Sequence, residues 1–257
     1  MTRDYETRQV HLPEHQRPQD DEYYRQLNDY YAASAGSHVD KLRAFPKFVP
    51  VAELGRFLAK SRIFERVLTV PGSIVECGVF GGGGLMTWAA LSAILEPLNH
   101  VRRVIGFDTF AGFVRTSGQD ASPSVNPAAK AGGLAGDPAE DIARSAAIFD
   151  LYRPLGHIPK IELVKGDALT TIPRYLDDNL HLVVSLLYLD FDLYEPTKCA
   201  IERLVPRMPK GAVIVFDELN HSAWPGETMA LLDTLGIRSL RLERFPFQPQ
   251  LSFAVLD

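Results

Sequence analysis

The chain has 257 residues, 46% hydrophobic and 23% charged, a composition that suits one large domain or one domain with an added arm. A net charge of −5 argues against broad attraction to nucleic acid or an anionic membrane, so neither is expected as a partner. Cys77 and Cys199, both in segments read as buried, make no disulfide framework and point to a reducing, cytoplasmic setting; the polar start is no secretory signal, and the longest apolar stretches are too short to cross a bilayer.

The first twenty or so residues are polar and proline-bearing, an arm or extended lead-in. DEYYRQLNDYYAA (21–33) puts acids first and aromatics at helical spacing, which predicts a helix. Residues 1–50 are therefore read as an N-terminal helical arm that acts as a lid or an oligomer contact, its tyrosines packing on a neighbouring subunit or the main domain. A homo-oligomer is expected. Residues 51–257 are read as the main domain. Its first helix, 51–68, carries Val51, Leu54, Phe57, Leu58 and Phe64 largely along one stripe.

Beyond PGS the texture alternates. Strands are predicted at 74–79, 101–108, 160–167, 182–190 and 212–218, and helices at 85–98, 195–208 and 225–236. The helix at 225–236 has Pro225 at its start and Gly236 at its end. Two more strands, 240–245 and 250–257, close the chain as a hairpin. The expected class is α/β: a seven-stranded, mostly parallel sheet with helices on both faces and one antiparallel strand. The segment 113–138, rich in Gly, Ala, Ser and Pro, breaks the rhythm and reads either as a functional lid or as a tolerated surface insertion.

Between the first strand and its helix, VECGVFGGGGLMTWA holds five glycines, a loop that lets a ligand approach the backbone and the helix start. No register gives the G-x-G-x-x-G dinucleotide fingerprint, and there is no G-K-[ST]. Glu76, just before the glycines, suggests a ligand ammonium group or a positive charge nearby. Asp108 closes the second strand, where an acid can accept from both hydroxyls of a ribose, and Asp167 follows the third. Together they outline a nucleoside-bearing cation; singly, each could be a helix cap or turn residue.

The combination of ECGVFGGG, GFDTFAGF, DFDLYEPT and VIVFDELN…PGET resembles the macrocin O-methyltransferases, metal-dependent S-adenosylmethionine enzymes that methylate sugar hydroxyls in antibiotic biosynthesis. The resemblance runs from about residue 46 to the end. It implies a Rossmann-like class I methyltransferase sheet, with Glu76, the loop Gly78, Val79, Phe80, Gly81, Gly82 and Gly83, Asp108 and Asp167 holding the methyl donor. It also implies that the fourth and fifth strands end in one cleft, which brings Asp190, Asp192, Asp217 and Glu218 within reach of one point.

Crowded carboxylates repel, and a hard divalent cation offsets their charge; oxygen ligands favour Mg²⁺, with Ca²⁺ or Mn²⁺ as alternatives. The resemblance assigns Asp190, Asp217 and Glu218 to the metal, with Glu218 standing where the family more usually has aspartate. Asp192 is the candidate general base, since two residues beyond Asp190 it points the same way if the strand persists. Arg115, Tyr194 and His221 are candidate substrate contacts. The function expected is methylation of a nucleotide-linked deoxysugar of the TDP-rhamnose kind; the alternatives are a sugar already on a natural-product scaffold or a phenolic hydroxyl.

Overall fold

The structure is a computed structural model that describes residues 18–122 and 128–257. The polar lead-in up to residue 17 and residues 123–127 of the irregular segment lie outside the described residues. The chain forms two compact units, divided between Phe57 and Leu58.

The first unit contains α1 (Pro18–Ala33), α2 (His38–Arg43) and the beginning of α3 (Val51–Val67). Ser37 and Asp40 cap α2 reciprocally: each backbone N–H donates to the other residue's side chain. The tyrosine rings find partners inside this unit. Tyr30 and Tyr31 pack on Phe48 at 5.6 and 5.1 Å between ring centres, and the Lys41 ammonium lies 5.0 Å from the Tyr31 ring centre.

Among its described residues the second unit has seven strands: β1 (Ser73–Cys77), β2 (Val104–Asp108), β3 (Ile161–Lys165), β4 (Val184–Leu189), β5 (Val213–Phe216), β6 (Glu243–Phe245) and β7 (Gln248–Val255). Their order is β3-β2-β1-β4-β5-β7-β6, and only β7 runs antiparallel to its neighbours. The α/β class, the mostly parallel sheet and the terminal hairpin expected from sequence are all present. β1, β4 and β5 read as near-continuous apolar runs because they are central and covered on both faces.

One face packs under α3, α4 (Gly83–Leu95) and α5 (Ala139–Asp150), with Phe64, Trp88, Ile142, Tyr188 and Val215 in one cluster. The other packs under α6 (Ala168–Asp178), α7 (Tyr194–Leu204) and α8 (Gly226–Asp233), with Cys77, Phe107, Leu187, Leu189 and Phe216 in a second. Cys77 is buried as expected, whereas Cys199 is only partly so. Among the described residues no helix is long and apolar enough to cross a membrane.

Two details differ from the sequence reading. The buried face of α3 is Ala59, Lys60, Ile63, Phe64 and Val67; Val51, Phe57 and Leu58, expected on the apolar stripe, are exposed. β4 ends at Leu189, and Asp192 stands at φ +63, outside the extended region. Strand alternation therefore does not set the direction of Asp192; a turn does.

Arg102 fastens the layer beneath β1. It is 3% exposed, and its guanidinium donates to Glu96 Oε1 at 2.7 Å, Gly72 O at 2.9 Å, Val67 O and Val70 O at 3.0 Å each, and Ser185 Oγ. It thus joins the end of α3, the end of α4 and the starts of β1 and β4. A planar fork satisfies these acceptors where an ammonium could not. Arg102→Met is expected to destabilise the protein by about 3–5 kcal/mol, because it strands a nearly buried carboxylate and buried carbonyls; chemical denaturation of the two proteins measures the difference, and Arg102→Lys should rescue little of it.

Candidate active site

The strand order reverses between β1 and β4, and in such sheets the cleft beyond the carboxyl ends at the reversal is where ligands bind. Backbone strain concentrates there. Among the described residues six non-glycine residues have positive φ, and four of them follow the central strands: Phe80 after β1, Phe110 after β2, Asp192 after β4 and Asn220 after β5. Conformations of this kind cluster at functional sites because they persist only where the surroundings enforce them.

The strand ends are held in close register. Asp190 N–H donates to Cys77 O at 2.8 Å and Asp217 N–H to Leu189 O at 3.1 Å. Gly78, at φ +95, lies so near β4 that an added Cβ would stand 1.9 Å from Asp190 O. The glycine loop and the acid loop therefore touch. Asp190 and Asp217 follow the paired residues Leu189 and Phe216, which sets their backbones about 4.8 Å apart.

The loop after β1 is shaped by Asp108. Its Oδ2 accepts from Val79 N–H at 2.8 Å and Phe80 N–H at 2.9 Å, and its Oδ1 from Phe110 N–H at 2.7 Å. Hydrogen bonds to a charged acceptor contribute about 1.5–3 kcal/mol each, so this carboxylate largely fixes the turn. One lone pair of Oδ1 is left over for a further donor. Beyond the pinned residues, Gly81 and Gly83 face open space, with nothing within 4 Å of a Cβ built on either. Asp167 is the N-cap of α6, accepting from Leu169 N–H at 3.0 Å, while its Oδ2 lies 3.4 Å from Arg115. Capping and turn-fixing, which the sequence left open for these acids, are thus what Asp108 and Asp167 do within the chain.

Glu76 is 2% exposed, and its positive partner comes from the protein itself. Lys60 Nζ lies 3.7 Å from Glu76 Oε2, 3.8 Å from the Tyr188 ring centre and 4.8 Å from the Trp88 ring centre. A desolvated cation over two rings is held by about 2 kcal/mol or more, which helps offset burial of the ammonium. Burial pushes the Glu76 carboxyl above its usual range, Lys60 works against this, and the nearby Asp217 charge adds to it. A Cβ at Gly84 would come within 2.5 Å of both Glu76 Oε1 and Lys60 Nζ, so a larger residue there would push the pair aside. Glu76 Oε2 has no hydrogen-bond partner among the described residues.

On the acid side, Tyr188 OH donates to Asp217, which is 2% exposed. Glu227, in the first turn of α8, is wholly buried and accepts from Glu218 N–H at 2.6 Å through Oε2; its Oε1 has no hydrogen-bond partner among the described residues. Burial pushes the Glu227 carboxyl well above its usual range; the Glu218 N–H partly offsets this, and the charges of Asp217, Glu218 and Asp192 add to it. Glu227 thus touches the backbone of Glu218, which with Asp217 follows β5. His221 Nδ1 lies 3.6 Å from Glu218 Oε2. The carboxylates of this group offer oxygen donors, which suit a hard divalent cation. Among the described residues, however, no three such side chains are drawn together into a ready ligand set.

Two substrate candidates are otherwise engaged. The Tyr194 ring is buried in the helical layer over the sheet and its hydroxyl donates to Asp233 at 2.9 Å, so it is a packing residue, not a lining one. Arg115 is about half exposed and bridges Glu195 at 3.0 Å and Asp167 at 3.4 Å. Sequence reasoning missed Lys60, Tyr188 and Glu227. Lys60 had a signal: it precedes Ile63, Phe64 and Val67 by three, four and seven residues, the spacing of one helix face.

Comparisons with known proteins agree with this architecture. The family model described as macrocin-O-methyltransferase (TylF) matches residues 58–232. A crystal structure of the calicheamicin methyltransferase CalS11 superposes with a TM-score of 0.89 at 34% identity, covering 94% of each chain. The apo structure of CalS11, named as the TDP-rhamnose 3'-O-methyltransferase of calicheamicin biosynthesis, gives 0.81 at 33% identity over 94% of this chain and 96% of that one. The O-methyltransferase NovP, 20% identical with a TM-score of 0.60 over 79% of each chain, shares the fold. A curated relative from Streptomyces olivaceus, 8-demethyl-8-(2,3-dimethoxy-alpha-L-rhamnosyl)-tetracenomycin-C 4'-O-methyltransferase, is 31% identical over 58% of this chain, which spans about half of that relative's length, 53%. With a family match that runs through the glycine loop, both acid-ended strands and most of the second unit, this chain belongs to the macrocin O-methyltransferase family.

Proposed function

We propose that the chain transfers a methyl group from S-adenosylmethionine to a hydroxyl of a nucleotide-linked deoxysugar of the TDP-rhamnose kind in antibiotic biosynthesis, with a divalent cation in the site. The observation that carries this reading is the likeness to CalS11 over 94% of the chain, together with acid-ended strands beside a glycine turn. When bound, S-adenosylmethionine supplies an electrophilic methyl group, and a hard cation such as Mg²⁺, Ca²⁺ or Mn²⁺ makes the hydroxyls it holds more acidic.

In this reading the turn from Gly78 through Val79, Phe80, Gly81, Gly82 and Gly83 forms the floor for the donor. Glu76 gives that side its negative charge from below, and Asp108 and Asp167 border it. Asp190, Asp217 and Glu218 hold the cation. Asp192 takes the proton from the accepting hydroxyl. The chain's main contribution is to hold the acceptor oxygen in line with the methyl carbon. Arg115 is the cation available for a diphosphate, which would draw it from Glu195 and Asp167; His221, beside Glu218, borders the same space.

A second reading keeps the chemistry and changes the acceptor to a sugar already joined to a scaffold. The name of the Streptomyces olivaceus relative, which acts on a rhamnosyl tetracenomycin, supports it. Mass spectrometry of TDP-sugars and of rhamnosylated scaffolds, each incubated with S-adenosylmethionine and Mg²⁺, separates the two. The mass gain of one CH₂ is expected on TDP-rhamnose-like acceptors, and a gain only on scaffold-linked sugars would favour the second.

Exhaustive chelation is expected to abolish turnover and added Mg²⁺ to restore it; activity that persists without metal would remove the cation from the reading. Asp192→Asn is expected to lower kcat by roughly 10²–10⁴-fold while cation binding, followed by calorimetry, stays close to that of the parent.

A further inference from the structure

Helix α7 starts at Tyr194 behind Leu193, a residue whose side chain offers no cap. The acceptor arrives from the irregular segment. Asp120, in a single 3₁₀ turn and 7% exposed, accepts from Tyr194 N–H through Oδ1 at 2.7 Å. Its Oδ2 accepts from the N–H and the hydroxyl of Ser117, each at 2.7 Å. Gly226, the first residue of α8, makes this contact possible: an added Cβ would lie 2.3 Å from Asp120 Oδ1 and 2.5 Å from Tyr194 N.

The neighbouring residues are fastened too. Phe113 N–H donates to Gly133 O at 3.1 Å, Gly132 N–H donates to Phe113 O at 2.8 Å, and the Phe113 ring meets Trp224 edge-on at 5.7 Å. The described part of the segment thus forms a wall pinned to α7 and to the loop before α8. Those are the elements that follow Asp190 and Asp192 on one side, and Asp217 and Glu218 on the other.

Asp192 lies two residues before the capped amide and stands at φ +63. A side chain that remains there needs its turn held at both ends. The upstream end is held by Asp190 N–H on Cys77 O. The downstream end is the Tyr194 amide.

We propose that Asp120 is a positioning residue for the turn that carries Asp192: by capping α7 from a distant loop, it keeps Asp192 aimed at the acceptor hydroxyl. The inference rests on the reading of Asp192 as the base. Without the cap, the Tyr194 amide must find water, α7 frays by a turn, and Asp192 relaxes to an ordinary negative φ.

Two variants break the contact by different routes. Asp120→Ala deletes the acceptor, and Gly226→Ala crowds it while leaving both bonded groups in place. In each, kcat with TDP-rhamnose is expected to fall roughly a hundredfold, as misplaced reacting groups do, with KM for S-adenosylmethionine unchanged. Amide hydrogen exchange at Tyr194 is expected to accelerate. A crystal structure of either variant should show Asp192 away from φ +63, a readout independent of any acceptor.

Adding Asp192→Asn to either variant should cost little more, because both act through one group. Full additivity, or a slow-exchanging Tyr194 amide with Asp192 unmoved, overturns the proposal and leaves the base reading intact. Normal turnover of Asp192→Asn alone defeats the base reading and this inference with it. Should Asp120→Ala fail to fold, Gly226→Ala carries the same comparison.

Discussion

A carboxylate at the end of a buried strand must be given a partner, and much of this molecule is arranged around that need. The strands of the sheet deliver acids to one edge, and the chain answers each one differently. Glu76 receives a caged lysine. Asp108 receives three backbone amides and in return fixes the glycine turn. Asp167 caps a helix, and Asp217 takes the hydroxyl of Tyr188. Glu76 and Glu227 each keep one buried oxygen without a hydrogen-bond partner among the described residues.

The two halves of the site are not independent. Lys60 stands over the Tyr188 ring, and the hydroxyl of that ring holds Asp217. Glu76 and Asp217 therefore share a network that crosses from β1 to β5 through β4. The contact of Gly78 with the Asp190 carbonyl makes the same link through the backbone. A shift of either loop is felt by the other within one residue.

Much of this was legible in the sequence. Alternating strands and helices gave the sheet, the glycines after 74–79 marked the turn assigned to the donor, and the acid doublets marked the strand ends. What escaped were contacts between residues far apart in the chain. The cap from Asp120 to Tyr194 spans 74 residues, and nothing in a glycine- and alanine-rich stretch marks one aspartate as buried. Lys60 was hidden by the habit of reading lysine as solvated, although its spacing set it on the covered face of α3. Period-two alternation could not carry the direction of Asp192, because it holds only while the backbone stays extended, and β4 stops at Leu189.

The two faces of the sheet differ in chemistry. Towards α6, α7 and α8, the four central strands present Val75, Cys77, Ile105, Phe107, Leu187, Leu189, Ile214 and Phe216, with Glu162 of β3 held by Tyr175 further out, whereas towards α3 and α4 the centre of the sheet carries Glu76 and Tyr188 with Lys60 against them. Volume-conserving exchanges are tolerated in oily cores far better than changes to an interlocked polar set. Sequence drift among descendants of this chain should therefore be lopsided, with one layer free to be re-upholstered over generations and the opposite layer frozen by its wiring.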